Sequence, residues 1–449
     1  MPQRLIDALV TTDAASAAFS DRALLQAMFD VEAALARAEA AVGIIPAEAA
    51  VVITRAAVVD DDIDVDTLVA QARAQATVSI PVVRVLTTRV EALDAGAARY
   101  VHWGATSQDV FDTALVLCVS RAWTQMAADQ ARLTGALVQL ADEHAGTVML
   151  GRTLLQPAVP ITFGLKAAGW LGAVTRTWRQ WQQALDNLQV LQLGGAAGTL
   201  ASLGSHGLAV ERALADELGL AVPDAPWHAH RDRVAAFVAA CGVHTAALGK
   251  IARDLSLLAQ HEVGEATVPG GGSSTMPHKR NPSGCAVVLA AATRLPGIVA
   301  SVLAGMVHEH ERSVGGWHAE APAVADAVQA AGSALASLAD VVLSLRVDPA
   351  RMRANVDATR GVVMAEHLAL LLAPAIGRAK AADLAAQASA ESAASNRPLA
   401  VVVAGMAEAV AHLSTGDLER LASPDAYLGL ADAFRRRLID AARTSSDGN

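Results

Sequence analysis

From Val234 to Gln260 the apolar side chains recur every seven residues in two adjacent rows, and few folds can accommodate that pattern. Val234, Cys241, Leu248 and Leu255 form one row, and Phe237, His244, Ile251 and Leu258 form the other. On an α-helix both rows fall on one face, as an a/d seam sustained over four heptads. At a rise of ~1.5 Å per residue this is a helix about 40 Å long, packed along its whole length. Further long helices are expected over 108–144, 161–190, 283–307 (with Pro296 as a kink) and 324–345. A globular helix averages about 11 to 12 residues, so several far longer ones in one chain call for a long bundle. The expectation is an all-α protein with a central long-helix bundle, its seam packed in part against other copies of the chain.

Composition narrows the class. The 449 residues are 53% hydrophobic and 18% charged, with a formal net charge of -10. That is the reverse of a disordered chain and enough sequence for a large core. At roughly 150 residues per domain it suggests about three domains. Breaks in the pattern place them at 1–107, 108–345 and 346–449, the last boundary at the run from Arg346 to Pro349. An acidic balance excludes a basic nucleic-acid surface and requires any anion site to be basic locally. Three scattered cysteines, Cys118, Cys241 and Cys285, fit a reducing compartment. The N-terminus lacks a secretion signal. Arg294 and Pro296, and His244 and Lys250, interrupt the most apolar stretches. The sequence therefore predicts a soluble cytoplasmic protein with neither nucleic-acid nor membrane partners.

One segment carries most of the chemistry. Gly270-Gly271-Gly272 precedes Ser273, Ser274, Thr275 and Met276, then Pro277, His278, Lys279, Arg280, Asn281 and Pro282. The glycines leave backbone amides free to face a ligand, the cations favour an anion, and Asn281-Pro282 opens a helix. This reads as an anion site beneath a mobile loop, not a solvated linker. It is not a phosphate-binding P-loop, because the Gly-Lys-Ser/Thr ending is missing.

Gly272 to Pro282 resembles the signature loop GSSxMPxKxNP of the fumarase/aspartase superfamily at every position. His102 to Asp109 resembles the Thr-Ser-x-Asp region of that family, and Gly151 to Ala158 its GRTHxQxA region. The resemblance covers about residues 15 to 430. It implies three helical domains, a homotetramer built round a twenty-helix core, and active sites shared between subunits. It also implies anti β-elimination, or its reverse, on a polycarboxylate, without cofactor or metal. Ser273 is then the base, assisted by Lys279 and Asn281. His102, Thr106, Ser107, Arg152, Thr153, Gln156, Ser274, Met276 and Arg312 are expected to bind substrate, with Arg280 a further cation.

At position 154 the chain departs from that pattern. Amine-expelling members usually carry His there, whereas Leu154 can neither donate nor accept a proton. An amine leaves poorly unprotonated, while a carboxylate with a pKa near ~4 leaves freely at neutral pH. The substitution points to a carboxylate as leaving group or nucleophile. Further segments resemble the cycloisomerase branch of the superfamily, which closes a lactone on a carboxylated muconate. They are Leu193–Leu200, Pro226–His228 with Arg231–Arg233, His310–Arg312 with Gly315–Glu320, and Phe19–Arg22 with Val31–Ala36. Another lyase, such as an adenylosuccinate lyase, and a non-catalytic helical assembly remain as alternatives. His228, His230, His308, His310 and His318 lack metal-ligand spacing. His244 reads as a hydrogen-bonded core residue, Cys285 as a small buried one, and Arg231 and Arg233 as possible surface partners of Asp232 or Asp224.

Overall fold

The computed structural model describes residues 11–268, 270–272, 275–276 and 279–446. The fold is all-α, with little sheet among the described residues. The seam helix spans Asp232–Leu258, and all eight seam side chains are buried. The other long helices are Ser107–Glu143, Phe163–Leu188, Ser283–Gly305 and Gly316–Leu343. Gly316–Leu343 begins eight residues before the expected start at 324, because Pro322 lies inside the helix instead of bounding it.

The chain divides into two compact units. The first comprises Met1–Gln130, Thr177–Gly249 and Val287–Ser337. Its organising element is the helix Asp21–Val42. Ser20 caps this helix by accepting from the Ala23 amide, and Gly43 closes it in the left-handed conformation that glycine tolerates best. One face buries Met28, Phe29 and Val31 with Ile53 of Ala47–Ala56 and Leu86 of Ser79–Leu93. Another packs Leu35 and Ala38 with Leu191, Leu193 and Leu214. Such side chains are worth about 1.5–3 kcal/mol each when buried. Two carboxylates, Glu32 and Glu39, share this buried stretch.

The second unit comprises Ala131–Arg176, Lys250–Ala286 and Leu338–Asn449. It contains an antiparallel hairpin, Val148–Thr153 with Gln156–Thr162, which corrects the expectation of a helix starting at 161. Val148 and Leu150 pack on Val356 of the helix Pro349–Ala358. Ala266–Thr267 pairs antiparallel with Arg346–Val347. A separate core of Leu368, Leu372, Leu384, Leu399 and Leu421 holds the C-terminal helices together.

Three helices, Asp232–Leu258, Ser283–Gly305 and Gly316–Leu343, are long and apolar enough to cross a membrane by length and composition. The expectation that polar residues interrupt every such stretch therefore does not hold. Two of them bury most of their most apolar window, but Ser283–Gly305 buries only 22% of its own.

Candidate active site

Residues 102–109 form a tethered strip in the first unit. The Thr106 amide donates to Asp109 Oδ2 at 2.9 Å, closing the start of the helix Ser107–Glu143 in the manner of a capping box. Asp109 also accepts from the Gly194 and Gly195 amides, both at 2.9 Å, and pairs with His228 Nε2 at 2.6 Å. A Cβ on Gly194 would lie 2.7 Å from the His228 ring, so the close approach requires glycine. Arg312 reaches the same strip. Its Nη1 donates to Thr106 Oγ1 at 3.0 Å, and its Nη2 donates to the Gly195 and Ala196 carbonyls. The Ser107 carbonyl accepts from the buried Ser79 hydroxyl at 2.7 Å.

At the other end of the strip, His102 adopts a φ of 60° and sets its Nδ1 2.6 Å from Glu32 Oε1. Burial alone would lower the imidazole. The charge and hydrogen bond of Glu32, with the charge of Asp109, outweigh burial and raise it above its ordinary value.

A buried ionic layer underlies the strip. Arg231 donates to both oxygens of Asp112, at 2.7 and 3.1 Å, and its Nε donates to Glu320 at 3.1 Å. It also stacks 4.7 Å over Trp227. Burial would raise the Asp112 carboxyl, but the charge of Arg231 and hydrogen bonds from Arg231, Trp317 and Gln192 hold it below the usual range. Arg231 is thus a buried anchor, and the expectation of a surface pairing with Asp232 or Asp224 is corrected.

The second unit carries the remaining predicted residues. Thr153 and Gln156 face each other across the hairpin, with Leu154 and Leu155 at its tip. Arg152 clasps Glu265 through both terminal nitrogens, at 2.8 and 2.6 Å, and Asn355 donates to the same carboxylate. Two of the Arg152 donors are therefore committed to a fully buried partner. Lys166 lies close to this group. Burial, Lys250 and Arg152 lower its ammonium, against the opposing charges of Asp254 and Glu265.

Close by in sequence, the glycine-rich loop is cinched at its base. The Asn281 amide donates to the Gly271 carbonyl at 3.1 Å, the Gly271 amide donates to Ser283 Oγ at 3.0 Å, and Gly272 bridges to Arg280. A Cβ on Gly270 would stand 1.7 Å from the Asn281 carbonyl oxygen. Met276, Lys279 and Arg280 are exposed, and the Lys279 amide donates to the Met276 carbonyl at 3.0 Å. Ser273 and Ser274 lie outside the described residues.

The structure thus joins Thr106 to Arg312 and Thr153 to Gln156, and it ties His102 to a residue the sequence reading had not singled out. Glu32 and Glu265 escaped notice because a lone acid among alanines or next to a glycine carries no local signal. His244 is the core residue expected, 3.0 Å from Thr177 Oγ1, and burial drives its imidazole down to about 3. Cys285 is buried, which pushes its thiol up. A cavity of about 430 Å³ in the first unit, lined by Phe19, Leu24, Phe111, Leu115 and Trp317, is too apolar for a polycarboxylate.

Comparison with known proteins adds a lineage to this geometry. A family model described as lyase matches residues 8–297. A 3-carboxy-cis,cis-muconate cycloisomerase from Bradyrhizobium diazoefficiens is 45% identical over 97% of this chain and 98% of its own. A nitrosuccinate lyase from Streptomyces davaonensis is 43% identical over 94% of this chain and 91% of its own. The crystal structure of 3-carboxy-cis,cis-muconate lactonizing enzyme from Pseudomonas putida superposes with a TM-score of 0.93 at 42% identity, covering 99% of this chain and 100% of that one.

Proposed function

The chain belongs to the lyase family, and from that membership we propose that it is a soluble enzyme converting 3-carboxy-cis,cis-muconate to 4-carboxymuconolactone. The observation that carries the reading is its near full-length identity of 45% to a cycloisomerase of that name. Leu154 supports it independently, because a carboxylate nucleophile needs no general acid at the position this leucine occupies.

In the proposed reaction, a terminal carboxylate oxygen of the substrate adds to the carboxyl-bearing alkene carbon. The alkene electron pair moves into the far carboxylate as an aci-carboxylate. Ser273 then delivers a proton to the carbon beside that carboxylate and recovers one from solvent. One C–O bond forms, one C=C becomes single, and one proton is consumed per turnover.

Lys279, Asn281 and the loop amides supply positive potential to the dianion, a role such groups perform best when already in place. Three carboxylates call for clustered donors. His102, Thr106, Ser107 and Arg312 would line one part of the site, Arg152, Thr153 and Gln156 another, and Ser274 and Met276 of the loop a third. Arg312 and Arg152 act here as held cations, since protein groups already take several of their hydrogen bonds. We further propose a cytoplasmic homotetramer whose sites draw on several subunits, with domains near 1–107, 108–345 and 346–449.

The test is direct. Purified enzyme mixed with 3-carboxy-cis,cis-muconate is expected to bleach the muconate absorbance while one proton is taken up per molecule. Ser273→Ala is expected to slow this at least about a hundredfold. Faster turnover of nitrosuccinate, the substrate named by one relative, or of adenylosuccinate would overturn the substrate assignment. Inertness towards all three would favour a non-catalytic assembly.

A further inference from the structure

We infer that Glu32 is a positioning residue that holds His102 as the cation receiving one carboxylate of the substrate. This rests on the polycarboxylate reading above and assigns a role to an acid 70 residues away in sequence.

The geometry is unusual enough to need an explanation. His102 holds a left-handed backbone (φ 60°), which costs a residue with a Cβ of order 1 kcal/mol and persists only where the surroundings fix it. What fixes it is a 2.6 Å contact to a carboxylate that is itself only 1% exposed. Burying a carboxylate there is costly unless it is matched by an opposite charge. The ring meanwhile keeps 21% of its side-chain surface open, and among the described residues its Nε2 has no partner. A histidine with Nδ1 bound to a buried carboxylate and Nε2 unclaimed, four residues before Thr106, is arranged to present an N–H to an anion.

The surrounding charges agree. From the helix Asp21–Val42, Glu32 faces the ring directly. Glu39, two turns further on, has its carboxyl pushed up to about 8 by burial and by Glu32, so at neutral pH it adds little charge of its own. From the helix Ser107–Glu143, Asp109 contributes, but it is shared with His228 and three backbone amides. Arg312 is committed to Thr106 and two carbonyls. The negative field at the imidazole therefore comes mainly from Glu32, and it raises the ring above its ordinary value.

Binding of tricarballylate, an unreactive tricarboxylate, measured by calorimetry between pH 5.5 and 9 tests this. The wild-type enzyme should take up a proton on binding and lose about tenfold in affinity as pH rises through a midpoint above about 6.5. Glu32→Gln, nearly isosteric, should move the midpoint below about 6.5, so its deficit is largest between the two midpoints and shrinks towards both ends of the pH range. Glu32→Asp should bring the midpoint part of the way back, and His102→Gln should erase it. A Glu32→Gln deficit equal at every pH would mean a structural role and would overturn the inference. So would a midpoint that survives in His102→Gln, or failure of the wild type to bind. Because binding is read without turnover, pH-linked binding alongside inertness towards carboxymuconate would fault only the proposed reaction. Normal lactone formation with an unmoved midpoint in Glu32→Gln would fault only the inference.

Discussion

Glu39 lies in the first unit, neither carboxylate oxygen has a hydrogen-bond partner among the described residues, and its carboxyl is raised to about 8. His244 is the mirror case, an imidazole lowered to about 3 by burial. Their effects on stability run in opposite directions. Between pH 4.5 and 8 the folded protein keeps the Glu39 proton that the unfolded chain has lost, so stability falls as pH rises, by about 1.4 kcal/mol per unit. Between pH 3 and 6.5 the unfolded chain protonates His244 while the folded one does not, so stability falls as pH drops at a similar slope. Glu39→Gln is therefore expected to raise the urea midpoint at pH 8, by the equivalent of a few kcal/mol, and to leave it little changed at pH 4.5. His244→Phe is expected to flatten the acid limb of the same plot. Unchanged midpoints at both pH values would show that neither group titrates as described. Neither shift was legible in the sequence beyond the placement of His244 in the seam, since burial is a property of the surrounding fold.

At the scale of elements, the hairpin Val148–Thr162 is the least expected feature. Its two-residue turn, Leu154-Leu155, takes φ values of 49° and 64°, a geometry that favours Asn-Gly, and both leucines are exposed, Leu154 at 97%. Replacing the pair by Asn-Gly should relieve roughly 1 kcal/mol or more of backbone strain and raise the melting temperature by a few degrees. Under the proposed function the same change should impair lactone formation, because it removes the apolar tip beside Thr153 and Gln156. A lower melting temperature would show that the leucines are held by contacts worth more than the strain. The hairpin escaped the sequence reading because Leu-Leu gives no turn signal, and Gly151, Pro157 and Pro160 interrupt the alternation that would mark its strands. The seam helix was legible because four heptads repeat one message. Its observed span, Asp232–Leu258, differs from the expected one by two residues at each end.

For the whole molecule, the helix Ser283–Gly305 raises the question of what covers it. It buries 22% of its most apolar window, and Leu303 is 49% exposed, a surface that soluble proteins normally bury against a partner. A second copy of the chain is the partner proposed, but the contact is not the seam from which the sequence suggested one, because all eight seam side chains are already buried within a single chain. Leu303→Arg is expected to shift the sedimentation profile from tetramer towards smaller species and to reduce activity with it. A sharper test asks whether each site draws on more than one copy. Ser273→Ala and Arg312→Ala chains are each expected to be nearly inactive alone. If the loop and Arg312 come to a site from different subunits, random reassembly of an equal mixture leaves both intact at about one site in four, so about a quarter of wild-type activity should return. If one subunit supplies both, every site in the mixture keeps one lesion and no activity returns, whatever the oligomer. Activity assays after joint unfolding and refolding of the mixture separate the two cases, with separately refolded samples as the baseline.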